Sequence, residues 1–114
     1  AALNPQDLNL KLHYADLYER WGKYLSDKGE FEEAKMYFEK ALKTGTDDAK
    51  YTYFVSMVYA QQGENQKALE GFEKALQLNP SKENQRYIYA TMSQIYTHMG
   101  NATKAAEHAA KAKQ

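Results

Sequence analysis

The chain has 114 residues, 15 basic against 15 acidic, with no cysteine, 43% hydrophobic and 13% aromatic side chains. That length allows one domain, the composition is that of a folded chain rather than a disordered one, and the charge balance removes any long-range pull on nucleic acid or an anionic membrane. Disulfide frameworks and thiolate chemistry are excluded by the missing cysteine, and no apolar run is long enough to span a bilayer.

In chain order, residues 1–14 read as an extension of a first helix that runs from Asp7 to Lys28. Leu8, Leu12 and Tyr14 indicate that this extension packs on something. Leu3-Asn4-Pro5 echoes Leu78-Asn79-Pro80, so the chain is expected to begin at the tail of a preceding repeat, as a piece of a longer protein. On that reading the lack of a targeting signal leaves the compartment unknown, with the cytoplasm only a default. Gly29 ends the first helix, where a residue without a Cβ takes the left-handed conformation at least cost. The second helix spans Phe31 to Thr44. Its opening acids, Glu32 and Glu33 behind Glu30, complement the helix dipole, a better account of them than acid–base catalysis. The third helix, Asp48 to Gln62, is apolar almost all round, which demands burial on every side. The fourth runs from Asn65 to Leu78 and is closed by Asn79-Pro80, since proline cannot continue a helix and restricts the residue before it. The fifth begins after the cap residue Ser81 and reaches Met99. The sixth, Ala102 to Lys113, is alanine-rich with Thr103, Lys104, Glu107, Lys111 and Lys113 on its outer face. Such a polar face caps an array; alternatively, the small alanines leave room for a further helix.

The chain repeats itself. Gly29 and Gly63 are 34 residues apart, and Gly100 follows after 37 more. Residues 15–48 overlie 49–82 without a gap: Trp21 falls on Val55, Gly22 on Ser56, Leu25 on Tyr59, Ala34 on Ala68, Phe38 on Phe72 and Ala41 on Ala75. In a third unit, residues 83–114, Met92, Ser93, Tyr96, Ala105, Ala109 and Ala112 take these places, after three extra residues near Glu83 to Gln85. The small residues are needed where the two helices of a hairpin approach most closely, since a larger side chain there overpacks the contact by roughly 1–3 kcal/mol.

This pattern, in "KGEFEEAKMYFEKAL" and "QGENQKALEGFEKALQLNP", resembles the tetratricopeptide repeat (TPR) family over about 100 residues. The resemblance implies an all-α, right-handed α-solenoid of three antiparallel helix–turn–helix hairpins, six helices in all. An unrelated helical bundle is the alternative. There are departures: Thr46 stands where the family favours proline, Asn65 and Ala102 where an aromatic such as Phe31 is usual, and Ala109 replaces the expected Phe.

In the resembled family the first helix of each hairpin lines a concave groove that holds a peptide or partner helix. The matching places are Asp16, Glu19, Arg20, Lys23 and Asp27 in the first unit, Lys50, Tyr53, Phe54, Met57 and Gln61 in the second, and Tyr87, Thr91, Gln94 and His98 in the third. Tyr53, Phe54 and Met57, with Tyr87, are expected to supply most of the affinity, because aromatics dominate hot spots and methionine adapts. Lys23, Lys50, Arg20 and Glu19 would set the register. Shielding of those apolar residues by neighbouring helices is the competing account. A groove of this kind buries little area, so micromolar binding is expected. Some relatives grip the carboxylate of chaperone tails with a lysine/asparagine/arginine clamp; the matching places Glu19, Lys23, Phe54, Tyr87 and Thr91 hold one basic residue and no asparagine, so that clamp is absent.

Other chemistries find little support. His13, His98 and His108 have no metal-ligand spacing, and there is no phosphate-cradling glycine loop or nucleophile elbow. Three neutral repeats argue against reading RNA base by base. No cofactor and no enzymatic activity are expected. The partner is a protein or peptide of unknown identity, and the chain is read as a monomer or a weakly self-associating one. The alternative function is structural, as one stretch of a longer array or a scaffold that associates with itself. Charge is mildly polar along the chain: residues 1–48 carry seven basic and ten acidic side chains, residues 83–114 four and two. A solvated surface explains this; ordering of head-to-tail contacts is the other reading.

Overall fold

The computed structural model describes residues 5–114, and within them the chain forms six α-helices and no strand: α1 Pro5–Asp27, α2 Phe31–Lys43, α3 Asp48–Gln61, α4 Asn65–Gln77, α5 Lys82–His98 and α6 Ala102–Ala112. Leu3 and Asn4 of the suspected repeat tail lie outside the described residues. Helices pair as α1/α2, α3/α4 and α5/α6, and α2 against α3 and α4 against α5 stack the pairs into a solenoid of 49 × 30 × 19 Å. The three predicted hairpins are thus present. Each helix ends one residue earlier than the sequence suggests, because the last residue read as helical is the cap. Helix α1 starts earlier, at Pro5, whose fixed φ suits a first helical position. The three extra residues of the third unit lengthen the start of α5.

The turns follow from the chain's own chemistry. Gly29 sits at φ +80°, its N–H bonded to the Ser26 carbonyl, and the Glu30 N–H reaches back to the Leu25 carbonyl at 2.9 Å. These two bonds close a Schellman motif and satisfy carbonyls that the helix end would leave orphaned. Gly63 and Gly100 repeat it, with the Glu64 N–H on the Tyr59 carbonyl and the Asn101 N–H on the Tyr96 carbonyl. The second helices end differently. Gly45 and Asn79, 34 residues apart, both take positive φ, +72° and +57°. Gly45 therefore makes the break in unit one, where Thr46 replaces the proline. Asp47, Ser81 and Asn101 cap α3, α5 and α6, each accepting a backbone N–H at 3.1 Å.

The small positions are where the hairpins close. A Cβ on Gly22 would come within 2.5 Å of the Phe38 ring. Ser56 is 1% exposed and satisfies its hydroxyl on the Thr52 carbonyl. Ser93 donates across the hairpin to the Ala105 carbonyl at 2.7 Å. Three apolar clusters result. One joins Ala15, Ala41 and Tyr51; the next joins Leu25, Ala34, Phe38 and Val58; the largest gathers Phe72, Ile88, Met92 and Ile95 with Tyr53 and Tyr96. Phe54 packs against all three.

Candidate functional site

The first helices bond to one another across unit borders. The Lys50 ammonium of α3 lies 3.0 Å from the Glu19 carboxylate of α1, Ser26 donates to Gln61 Oε1 at 2.5 Å, and Thr91 of α5 donates to the Met57 sulfur at 3.8 Å. These links draw α1, α3 and α5 together along one side of the solenoid, the side that carries the groove positions.

The structure brings Glu19, Lys23 and Lys50 into one network. Glu19 bridges Lys23 at 3.1 Å and Lys50 at 3.0 Å, and accepts from the Tyr51 hydroxyl at 3.2 Å. Burial works to raise the Glu19 carboxyl, but hydrogen bonds and charge from Lys50 and Lys23 outweigh it and hold it below the usual carboxylate range. Burial likewise acts to depress Lys50, and its bond to Glu19 overcomes that and raises it. Tyr51 is raised, chiefly by burial. The three charges thus satisfy one another and brace α1 to α3. Arg20 is exposed and pairs with Asp16 on the same helix at 3.1 Å.

The apolar positions divide. Tyr53 is 8% exposed and belongs to the largest core cluster, so only a small part of it is open to the cleft that it lines with Phe54 and Met57. The reason is stacking: α3 is the middle first helix, with a hairpin on either side. Burial pushes the Tyr53 hydroxyl up, helped by nearby Tyr87 and Glu83. Phe54 and Met57 are half-buried. Together with Lys23, Ser26 and Gln61 they line an open cleft of about 220 Å³ between α1 and α3, with the Lys23 ammonium 5.0 Å from the Phe54 ring centre. Tyr87 is 54% exposed, and Gln94 and His98 are exposed further along α5. Among the expected groove positions Tyr87 is thus the exposed aromatic, while Phe54 and Met57 line the cleft.

Among the described residues no cluster of three or more His, Cys, Asp or Glu side chains could hold a metal ion. His108 is occupied by packing, its ring 5.0 Å from Tyr96 and its Nδ1 2.8 Å from the Lys104 carbonyl. No helix among them is long and apolar enough to cross a membrane.

A second surface went unread in the sequence. Trp21, placed there as a repeat position, is 52% exposed, and Leu17 and Tyr24 beside it are 37% and 50% exposed. Trp21 meets Tyr24 edge-on at 5.8 Å and stacks on Tyr37 of α2 at 6.3 Å. Leu8, Leu12 and Tyr14, expected to pack, are 47%, 49% and 46% exposed. The available signal was the alternating 4- and 3-residue spacing of Leu10, Tyr14, Leu17, Trp21 and Tyr24.

Three comparisons bear on identity. A family model described as "Anaphase-promoting complex, cyclosome, subunit 3", a tetratricopeptide-type repeat family, matches residues 27–112. The photosystem I assembly protein Ycf3 of Synechococcus sp. (strain CC9605) is 31% identical over 96 residues, covering 82% of this chain and 54% of that protein. The crystal structure of MamA aligns with a TM-score of 0.74 at 25% identity, over 87% of this chain and 56% of MamA. Another MamA structure, at 18% identity and a TM-score of 0.68, agrees in fold. The chain spans about half the length of these relatives.

Proposed function

This chain belongs to that tetratricopeptide-type repeat family, and we propose that it is a non-catalytic interaction module that takes a peptide or partner helix into the groove of α1, α3 and α5. The observation that carries this reading is the bonding of the three first helices to one another, which makes one continuous surface. On it Tyr87 stands out as an exposed aromatic near the buried Tyr53, the residue type that dominates hot spots. Phe54 and Met57 give the floor an adaptable apolar character. Gln94 and His98 are the exposed polar groups left to choose among ligands, Arg20 being paired with Asp16, while Glu19, Lys23 and Lys50 serve the scaffold. That a relative is named an assembly protein fits a module that holds other proteins rather than transforming a substrate.

The test is a photo-crosslinking amino acid placed at Tyr87 or Gln94, with Glu107 on the outer face of α6 as control, in lysate of the source cell. Discrete protein adducts from the groove positions and none from Glu107 are expected. Equal labelling from all three positions, or none from Tyr87 and Gln94, would refute groove docking.

A further inference from the structure

We propose that the cleft between α2 and α4 is a second docking site, for a peptide segment of a partner protein that presents an aromatic side chain beside an Asp or Glu. It lies across α3 from the groove, in the middle of the array, and stands independently of what the groove binds.

The internal repeat says what this place ordinarily holds. In the first unit Tyr18 of α1 meets Tyr37 of α2, ring centres 6.2 Å apart. In the third, Tyr89 of α5 meets His108 of α6 at 6.0 Å. The same two positions of the second unit are Thr52 and Gly71. Both rings of the pair are thus missing from the middle hairpin. An open cleft of about 350 Å³ lies there, walled by Leu42, Thr52, Val55, Tyr59 and Gly71. A preceding hairpin does not by itself exclude a ring at this place. The third unit follows one, as the second does, and still keeps His108 half-buried against Tyr89 and Tyr96.

Helix α4 cannot supply the ring. A Cβ on Gly71 would overlap the Ser56 hydroxyl and come within 3.0 Å of the Ser56 Cβ. Ser56 has no room to yield: it is 1% exposed, and its hydroxyl is held on the Thr52 carbonyl at 2.8 Å. Any side chain at Gly71 would overpack that contact, so a ring enters this cleft only from outside. Leu42, Val55 and Tyr59 are each half-buried. A ring seated on them removes apolar surface from water and has a second ring, Tyr59, to pack on.

The rim says what flanks the ring. Lys43 of α2 and Lys74 of α4 stand on it, both exposed, with Glu39 as the third charge, so the rim is net +1. Among the described residues neither lysine forms an ion pair. A carboxylate arriving beside the ring meets ammonium groups that no acid of the chain has claimed, while a basic flank is repelled.

The experiment is an NMR titration of the isotope-labelled 114-residue chain with the capped peptide Gly-Asp-Tyr-Glu-Gly. Saturable shifts are expected at the amides of Val55, Tyr59 and Lys74, and not at Tyr87 or Gln94. Two variants test the two halves of the site. Thr52→Tyr restores the ring that the other units carry and closes the cleft. Lys43→Glu/Lys74→Glu reverses the rim at exposed positions and leaves the walls, and so the fold, untouched. Each is expected to weaken the peptide at least about tenfold, a loss of about 1.4 kcal/mol. Peptides with Ala for the Tyr, or with Lys for both acids, are expected to lose as much. Shifts confined to the groove amides, or no shifts in a large excess of peptide, would overturn the proposal. So would equal binding by the Lys43→Glu/Lys74→Glu variant or by the peptide with Lys for both acids.

Discussion

Gly22→Ala offers a sharp test of how the first hairpin is closed. In a free helix this change is worth about 1 kcal/mol of stability, because alanine restricts the unfolded chain and favours helix. Here the added Cβ would lie 2.5, 2.7 and 2.8 Å from three atoms of the Phe38 ring. Real contacts of that kind are not tolerated, and the ring is 3% exposed, so it has nowhere to swing. Overpacking of about 1–3 kcal/mol is the expected cost, leaving a net loss of about 1 kcal/mol. Phe38→Ala alone should cost about 3–5 kcal/mol, within the 5–15 kcal/mol or so that holds a domain of this size. In that background the obstacle is gone, and Gly22→Ala should turn stabilising by about 1 kcal/mol. The sign reversal amounts to a coupling of about 2 kcal/mol, in the range seen for residues in contact. Urea denaturation of the four proteins, followed by helical circular dichroism, measures it. If Gly22→Ala stabilises the wild type, the ring is not held where the packing argument requires, and the reasoning fails.

Two further outcomes follow from geometry already described. Glu19→Gln should cost about 1 kcal/mol at neutral pH, discounted for partial exposure. Because Glu19 is held below its unfolded value, its stabilisation is present above about pH 4.3 and fades as pH falls through the lower folded value. Lys50 is raised, so the same bridge is lost again once pH climbs beyond about 10.4 and through its folded value. Urea midpoints at neutral and strongly acidic pH should show the wild-type advantage closing in acid; an undiminished gap there would contradict the assignment. Asn79→Ala should lose about 1 kcal/mol, since φ +57° suits asparagine and glycine but not alanine, whereas Asn79→Gly should keep or improve stability. Thermal melts of the two proteins decide between them, and equal melting would mean that the turn relaxes.

What could be read ahead of the structure was local and repeated. Gly29, Gly63 and Gly100 mark backbone conformations few other residues adopt, and Gly22, Ser56 and Ala34 mark contacts that exclude bulk. Ser81 named its own cap. Less legible was whether a neighbour is present on a given side. Trp21 and Val55 occupy one repeat position, yet one is half exposed and the other packed, because burial of that position depends on the hairpin before it. Tyr53 is more deeply buried than periodicity suggests for the converse reason: a helix with neighbours on both flanks hides much of a residue that periodicity alone assigns to its open face. The pairing of Glu19 with Lys50 was equally invisible, since it joins positions 31 residues apart whose approach depends on how the hairpins stack.

Phe54 sits where the three apolar clusters meet, and none of those clusters runs from the first unit to the third. In a linear stack, stability is a sum of units and of the couplings between neighbours. Whether the whole melts as one body then rests on the couplings, and much of this one passes through a single ring. With Phe54 in place, loosening of either end is felt at the other. Without it, the two ends would keep separate accounts of order, and a single sharp transition would broaden into two.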